Sequence, residues 1–349
     1  VNDGRGTDAR DVLVGVDVGG STIAVLVADT EGRELGRRAT ATHRDDPERA
    51  AEQVASAIHA ACAAASVAPD RVRGIGVGVP GRVDPRDGVV SLALNLGWFD
   101  VPLRARLEAL LGAPCVVAND VRTAASGIVE RRVLGDIQDL VYLSVGTGIA
   151  AGVVLNGELH PGAHHLAGEI GHVVIHEDGP VCTCGLRGCL ETYAAGPRLA
   201  HRAASALAAG ESSSLSDVGD FTAVHVYAAA SAGDPLAARI VDEAGRALAR
   251  VIYQLALALD VERVCVGGGV STAGEAFLRP IEQELDRLRS ASALAAEALP
   301  HGVVQLLPAG SDAGVWGALS LARHGRTQWG VATSSGKEVS DRSVSSLTT

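Results

Sequence analysis

Residues 12–32, VLVGVDVGGSTIAVLVADTEG, decide how the rest of the chain is read. An apolar run from Val12 to Val18 ends in Gly19-Gly20, a second run spans Ile23 to Ala28, and Glu31-Gly32 interrupts before a third extended segment. Apolar runs bounded by glycine turns predict strand, tight turn, strand, turn, strand. The pattern returns in residues 140–157, LVYLSVGTGIAAGVVLNG, where Gly146-Thr147-Gly148 and the hairpin signal Asn156-Gly157 divide the runs. Gly19 falls on Gly146, 127 residues later, and Gly32 falls within two residues of Gly157. A repeated three-strand unit predicts a duplicated fold.

Outward from these units, Ala51, Val54, Ile58, Ala61 and Ala65 recur at helical spacing, with Pro47 near the start of that segment. A strand over 74–79, a helix after Pro102, a strand over 114–118 and a helix over about 121–132 follow. The second half reads as more helical. Val241, Ala244, Leu248, Val251, Leu255 and Leu259 mark one long amphipathic helix. Beyond it come a strand over 263–266, the run Gly267-Gly268-Gly269, a helix over about 272–290, a strand near 303–307 and a helix over about 312–323. The expected organisation is a loose N-terminus over 1–11, an N-terminal α/β lobe over 12–133 and a C-terminal α/β lobe over 134–324. The last helix can pack back on the first lobe. The stretch 325–349 is rich in Ser, Thr, Gly and charge, has no apolar period, and is expected to be disordered.

Composition narrows the function. The 349 residues are 47% hydrophobic but only 3% aromatic, so Ala, Val and Leu must fill the core, as suits helices on buried sheets. A net charge of −11 argues against a general nucleic-acid or membrane-surface binder. No early apolar run is long enough for a signal peptide or a membrane span, and a cytoplasmic location is expected. In that setting the crowding of Cys182, Cys184 and Cys189 reads as metal binding before disulfide.

Several constellations carry chemistry. Asp17, Gly19, Gly20 and Ser21 lie at a strand–strand turn. Glycines there let backbone N–H groups approach an anion, and the Asp can hold a hydrated Mg²⁺ near phosphates. An ordinary hairpin would look the same. Gly146-Thr147-Gly148 is the partner turn, with Ser144 where the first copy has its acid, so two facing turns could clamp a polyphosphate. Asn119-Asp120 ends a strand and precedes a helix; Asp120 can serve as a helix N-cap or accept a hydroxyl proton in phosphoryl transfer. His172, Cys182, Cys184 and Cys189 suit a closed tetrahedral Zn²⁺ site. Glu169, His172 and Glu191 bracket it and offer hydrogen-bond partners for sugar hydroxyls. Gly268 and Gly269 could pass a nucleotide closely or simply make a tight strand–helix turn.

In their order along residues 12–323 these motifs resemble the ROK family of sugar kinases. The resemblance runs through Asp17-Val-Gly-Gly, Gly78-Val-Pro-Gly81, Asn95-Leu-Gly-Trp98, Asn119-Asp120, Gly146-Thr-Gly148, Glu169-Ile-Gly-His172, the Cys182–Cys189 stretch with Glu191, and Gly267-Gly-Gly269. It implies an actin-like ATPase (ribonuclease H-like) α/β fold of two lobes with a cleft between them. It implies ATP-dependent phosphorylation of a hexose, glucose first, at the 6-hydroxyl, with Asp120 as general base. Asn95, Asn119, Asp120, Glu169, His172 and Glu191 would hold the sugar. Asp17, Gly19, Gly20, Ser21, Gly146, Thr147, Gly148, Gly268 and Gly269 would serve Mg²⁺ and ATP. The zinc would be structural, and a homodimer or higher homo-oligomer is expected. N-acetylglucosamine, N-acetylmannosamine or another hexose as acceptor, and a non-catalytic sugar sensor, are the alternative readings. A repressor would need a helix-turn-helix, for which the first strand near residue 12 leaves little room. Two departures stand out. The family usually continues Thr-Lys after the paired glycines, where this chain has Ser21-Thr22, and a small Ala-Asn after the aspartate, where it has Val121-Arg122.

Overall fold

The computed structural model describes residues 11–84 and 86–328. Of the loose N-terminus expected over 1–11 and the disordered tail expected over 325–349, residues 1–10 and 329–349 lie outside the described residues.

The chain opens with three antiparallel strands, β1 (Val12–Val18), β2 (Thr22–Asp29) and β3 (Glu34–Ala41). Helix α1 (Ala50–Ala64) crosses to β4 (Val72–Val79), parallel to β1. A small antiparallel sheet follows, β5 (Arg82–Asp84), β6 (Val89–Ala93) and β7 (Trp98–Pro102), then α2 (Leu103–Leu111), β8 (Cys115–Asn119) and α3 (Asp120–Glu130). The second half begins with the meander β9 (Leu140–Val145), β10 (Ile149–Leu155) and β11 (Glu158–Leu159). It continues with α4 (Glu191–Ala194), α5 (Gly196–Ala208), α6 (Ala223–Ser231) and α7 (Pro235–Leu259). The last elements are β12 (Arg263–Gly267), α8 (Glu275–Ala291), α9 (Ala293–Ala298), β13 (Val304–Leu306) and α10 (Ala313–Gln328).

The two large sheets run β3-β2-β1-β4-β8 and β11-β10-β9-β12-β13. In each, a three-strand meander is followed by two strands parallel to its first member, so the expected duplication is present strand for strand. The central strands β1 and β4 are almost wholly buried, as valine-rich runs covered on both faces must be. The edge strand β3 carries Glu34, Arg37 and Arg38, charges that discourage pairing with another chain.

The differences from the sequence reading have local causes. Strands β5 to β7 are three to five residues long, too short to show a clear alternation. Helix α7 starts six residues before Val241, where Asp234 caps it through the Ala237 N–H and Pro235 fills the first position. Helix α10 runs on to Gln328, so a tail starting at residue 325 is drawn too early.

Helices α3 and α10 each follow the last strand of their own sheet, yet each packs on the other sheet. Glycines make this fit. A β-carbon at Gly15 or Gly76 would stand 2.4 Å from the Val315 carbonyl oxygen or 1.8 Å from that of Ala318, on α10. One at Gly152, on β10, would stand 2.5 Å from the Ala125 β-carbon on α3. The crossed pair joins the lobes through a buried cluster that includes Val116, Ala125, Ile128, Leu140, Tyr142 and Leu321.

Candidate active site

Parallel pairing aligns Asp17 on β1 with Gly78 on β4, and Gly78 with Ala118 on β8. The C-terminal edge of the first sheet therefore presents Asp17 and, just past β8, Asn119 and Asp120. Asn119 is the helix cap. Its Oδ1 accepts from the backbone N–H groups of Val121 (3.0 Å) and Arg122 (3.2 Å), and its Nδ2 donates to the Gly81 carbonyl (3.0 Å). Asp120 is thus the first residue of α3 and not its cap. Its Oδ1 accepts from the Val121 N–H (2.9 Å) and from Asn119 Nδ2 (3.1 Å). Burial pushes its carboxyl up to about 6, against the pull of those hydrogen bonds. Burial, and then the nearby charge of Asp120, push Asp17 up to about 7. Two half-buried carboxylates in one another's field, with no ion-pair partner among the described residues, form a place to hold a cation or take a proton. Asp17 reaches the first turn of α10 because Gly314 lies there; a β-carbon at that residue would stand 2.3 Å from Asp17 Oδ2.

The turn beside Asp17 is closed by the Gly19 N–H on the Thr22 carbonyl (2.8 Å) and braced by Thr42 Oγ1 on the Gly19 carbonyl (2.8 Å). Arg44 donates through Nε to the Gly20 carbonyl and through Nη2 to Ser21 Oγ (3.1 Å). Sequence reasoning missed this residue. The absence of lysine after Ser21 was the available signal that a cation had to come from elsewhere. Asn95, exposed between β6 and β7, has its Nδ2 3.7 Å from where a Gly20 β-carbon would be. In the second lobe the Gly146 N–H closes its turn on the Gly148 carbonyl (2.9 Å). Gly268, at φ 91, lies against it so closely that a β-carbon would stand 2.5 Å from the Val145 carbonyl oxygen. The Gly269 nitrogen is 3.8 Å from the β-carbon position of Gly146, so the two glycine segments of this lobe adjoin.

His172, Cys182, Cys184 and Cys189 bring one ligand atom each into a group whose members all lie within 4.8 Å of one another. Cys182 Sγ is 3.6 Å from His172 Nδ1, and Cys184 Sγ is 3.6 Å from Cys189 Sγ. Those separations are close to the edges of a tetrahedron with bonds of about 2.0–2.3 Å, and far beyond a disulfide bond. Burial and the neighbouring sulfurs push the Cys189 thiol up. The residues fit a closed four-ligand site. The loop needs its glycines: Gly171 fits under β10 only without a β-carbon, which would stand 2.2 Å from the Ile149 carbonyl oxygen, and Gly188 approaches the His176 carbonyl still more closely.

The cysteine loop touches the glycine turn. Glu191 Oε2 accepts from the Ile149 N–H (3.1 Å), immediately after Gly148, and the Gly196 N–H donates to the Gly146 carbonyl (2.8 Å). Glu169 stands half exposed at the start of the short turn that carries His172. From the other lobe, Arg122 reaches it: the buried guanidinium donates through Nη2 to the His165 carbonyl (2.7 Å), and the same nitrogen is 3.5 Å from Glu169 Oε1. A cavity of about 460 Å³ lies behind the cysteine loop, lined by Pro180, Val181, Arg198, Arg202, Leu236 and Ile240 among others; it contains none of the acids or glycine turns above. No helix among the described residues is long and apolar enough to cross a membrane.

The model of the ROK family matches residues 13–325. A glucokinase of Halalkalibacterium halodurans is 34% identical over 314 residues, which cover 87% of this chain and 92% of that protein. The crystal structure of a ROK hexokinase from Thermus thermophilus superposes with a TM-score of 0.74 at 31% identity, over 91% of this chain and 99% of that one. A ROK family glucokinase from Streptomyces griseus, solved in complex with glucose and AMPPNP, superposes with a TM-score of 0.68 at 34% identity, over 90% and 99%.

Proposed function

Since the chain belongs to the ROK family, we propose that it is an ATP-dependent hexose kinase of the glucokinase type, moving the γ-phosphoryl group of ATP to the 6-hydroxyl of glucose. The fold is the actin-like ATPase fold. The observation that carries the reading is the placement of Asp17 and Asp120 along one strand edge, with Asp120 relieved of capping by Asn119.

Asp120 takes the proton of the 6-hydroxyl as its oxygen bonds to the γ-phosphorus; the bond to the bridging oxygen breaks, and ADP leaves. A carboxylate raised to about 6 is a better proton acceptor near neutrality than an ordinary one, and it is still ionised there. Asn119 and Asn95 bind the acceptor from the first lobe, and Glu169, His172 and Glu191 from the second. The turns at Gly19, Gly20 and Ser21 and at Gly146, Thr147 and Gly148 cradle the phosphates, with Gly268 and Gly269 toward the nucleoside. Asp17 would hold hydrated Mg²⁺, which when bound neutralises charge on the phosphates. His172 and the three cysteines would hold a structural Zn²⁺: four protein ligands leave no open position, and His172 keeps Nε2 for the sugar because Nδ1 faces the sulfurs.

A coupled assay of ADP release over glucose, mannose, allose, N-acetylglucosamine and N-acetylmannosamine tests the reading. Turnover of glucose, lost in Asp120→Asn, is expected. Pure protein with Mg²⁺-ATP that releases ADP with none of these sugars would overturn it. A homodimer and a cytoplasmic setting complete the proposal; sedimentation at micromolar concentration reports the first.

A further inference from the structure

We propose that Arg122 is a positioning residue for the acceptor site: it straps Glu169, on the second lobe, to the helix that begins with Asp120, on the first. This rests on the kinase reading above.

The argument starts from burial. Arg122 is 6% exposed, and a guanidinium out of water needs an anion and acceptors for its N–H groups. Its side-chain partners both lie on the loop before His172: the His165 carbonyl at 2.7 Å and Glu169 Oε1 at 3.5 Å. Glu169 is half exposed, so it is the member of the pair that a ligand can reach. A carboxylate held at one oxygen by a fixed cation keeps its other oxygen for a hydroxyl of the acceptor.

Connectivity makes the contact more than local. Arg122 is two residues past Asp120, and its own backbone N–H is capped by Asn119. Gly152 lets α3 sit directly on β10; a β-carbon there would stand 3.1 Å from the Arg122 Cα. The proposed base and the arginine that holds Glu169 therefore share one short element, α3. A one-ångström error between such groups is enough to cost about a hundredfold in rate. Burial works against the charge of the Arg122 guanidinium, and the Glu169 carboxylate offsets this. A small side chain in its place would leave Glu169 without its strap.

The test is a double-mutant cycle on the full chain with Arg122→Met and Glu169→Gln, reading KM for glucose, KM for ATP and kcat. Metal content and melting temperature are recorded for each variant, and Arg122→Lys serves as the charge-preserving control. Arg122→Met is expected to raise the glucose KM about 10–100-fold while the ATP KM moves less than about threefold, and Arg122→Lys to recover part of the loss. In the Glu169→Gln background, Arg122→Met should add less than about threefold, because the arginine acts through that carboxylate. Fully additive effects, an unchanged glucose KM, or equal rises in both KM values would overturn the proposal. If Arg122→Met does not fold, the same cycle with Arg122→Lys decides. Wild-type protein that turns over no hexose would instead overturn the kinase reading, and this proposal with it.

Discussion

At the scale of single residues, the environment of Asp120, the proposed base, raises its proton affinity at the expense of stability. Its folded carboxyl is raised to about 6 by burial, against 3.8 for the ordinary group. The folded state thus binds this proton more tightly than the unfolded chain does. The resulting contribution to stability is complete below about pH 4 and is lost as pH rises through about 6. Asp120→Asn keeps an acceptor for the Val121 N–H but carries no charge. It should lower kcat by about 10²–10⁴. In ligand-free protein at pH 8 it should also melt higher than the wild type, by up to about 3 kcal/mol in stability, with the gap closing toward pH 4. Melts across that range, beside kcat/KM that falls in the wild type below about pH 6, check both effects; a variant less stable at pH 8 would contradict the burial argument. Arg44 is the other residue-scale case. It supplies a cation at Gly20 and Ser21, where Thr22 has none. Arg44→Ala should raise the ATP KM about 3–30-fold with the glucose KM nearly unchanged, since exposed charge contacts are worth about 1–2 kcal/mol to a polyanion. Identical ATP kinetics in the variant would assign Arg44 to the turn's shape alone.

At the scale of elements, the cysteine loop and the second glycine turn behave as one piece. Glu191 and Gly196 both bond to the Gly146–Ile149 turn, and Glu191 follows Cys189 by two residues. We expect about one Zn²⁺ per chain, given one closed ligand set. Cys184→Ser should lose metal and melt earlier, because a structural metal contributes folding free energy directly. It should raise the glucose KM through His172, and the ATP KM as well, through Glu191 and the turn. Elemental analysis with kinetics on both substrates checks this. Loss of metal with an unchanged ATP KM would confine the loop's influence to the sugar. That reach to the turn was not legible in sequence, where the cysteines and Gly146 lie on separate segments.

At the scale of the molecule, the lobes are held by the crossing of α3 and α10, and glycine sets how close they come. A β-carbon at Gly317 would stand 1.7 Å from the Thr123 carbonyl oxygen, and one at Gly127 2.0 Å from that of Ala313. Backbone atoms cannot step aside as a flexible side chain can. Gly317→Ala should destabilise the protein by about 1–3 kcal/mol or more, and should lower kcat beyond what the stability loss explains, because α3 carries Asp120 and Arg122. Urea titration and kinetics at a temperature where the variant is fully folded separate the two. A variant as stable as the wild type would mean that the helices can part without cost.

The sequence by itself determined the duplicated strand units, the paired glycine turns, the candidate ligand cluster of His172 and three cysteines, and the acid after β8. Each is a short-range pattern: an apolar run with a turn, four ligands within eighteen residues, a strand-end Asn-Asp. Periodicity and spacing record such patterns because neighbours in the chain are neighbours in space. Only the tertiary structure decided that Asn119 and not Asp120 caps α3, that each closing helix crosses to the other sheet, and that Arg44 and Arg122 stand at the glycine turn and at Glu169. The cap is a choice between two adjacent candidates that rotamer and packing settle; the other facts join segments tens of residues apart. Arg122 and Glu169 are 47 positions from each other, and Gly76 and Ala318 lie further still. No local pattern encodes such a pairing, because it arises from the packing of whole elements, in which a glycine's missing side chain and a buried cation's need for an anion choose the partner.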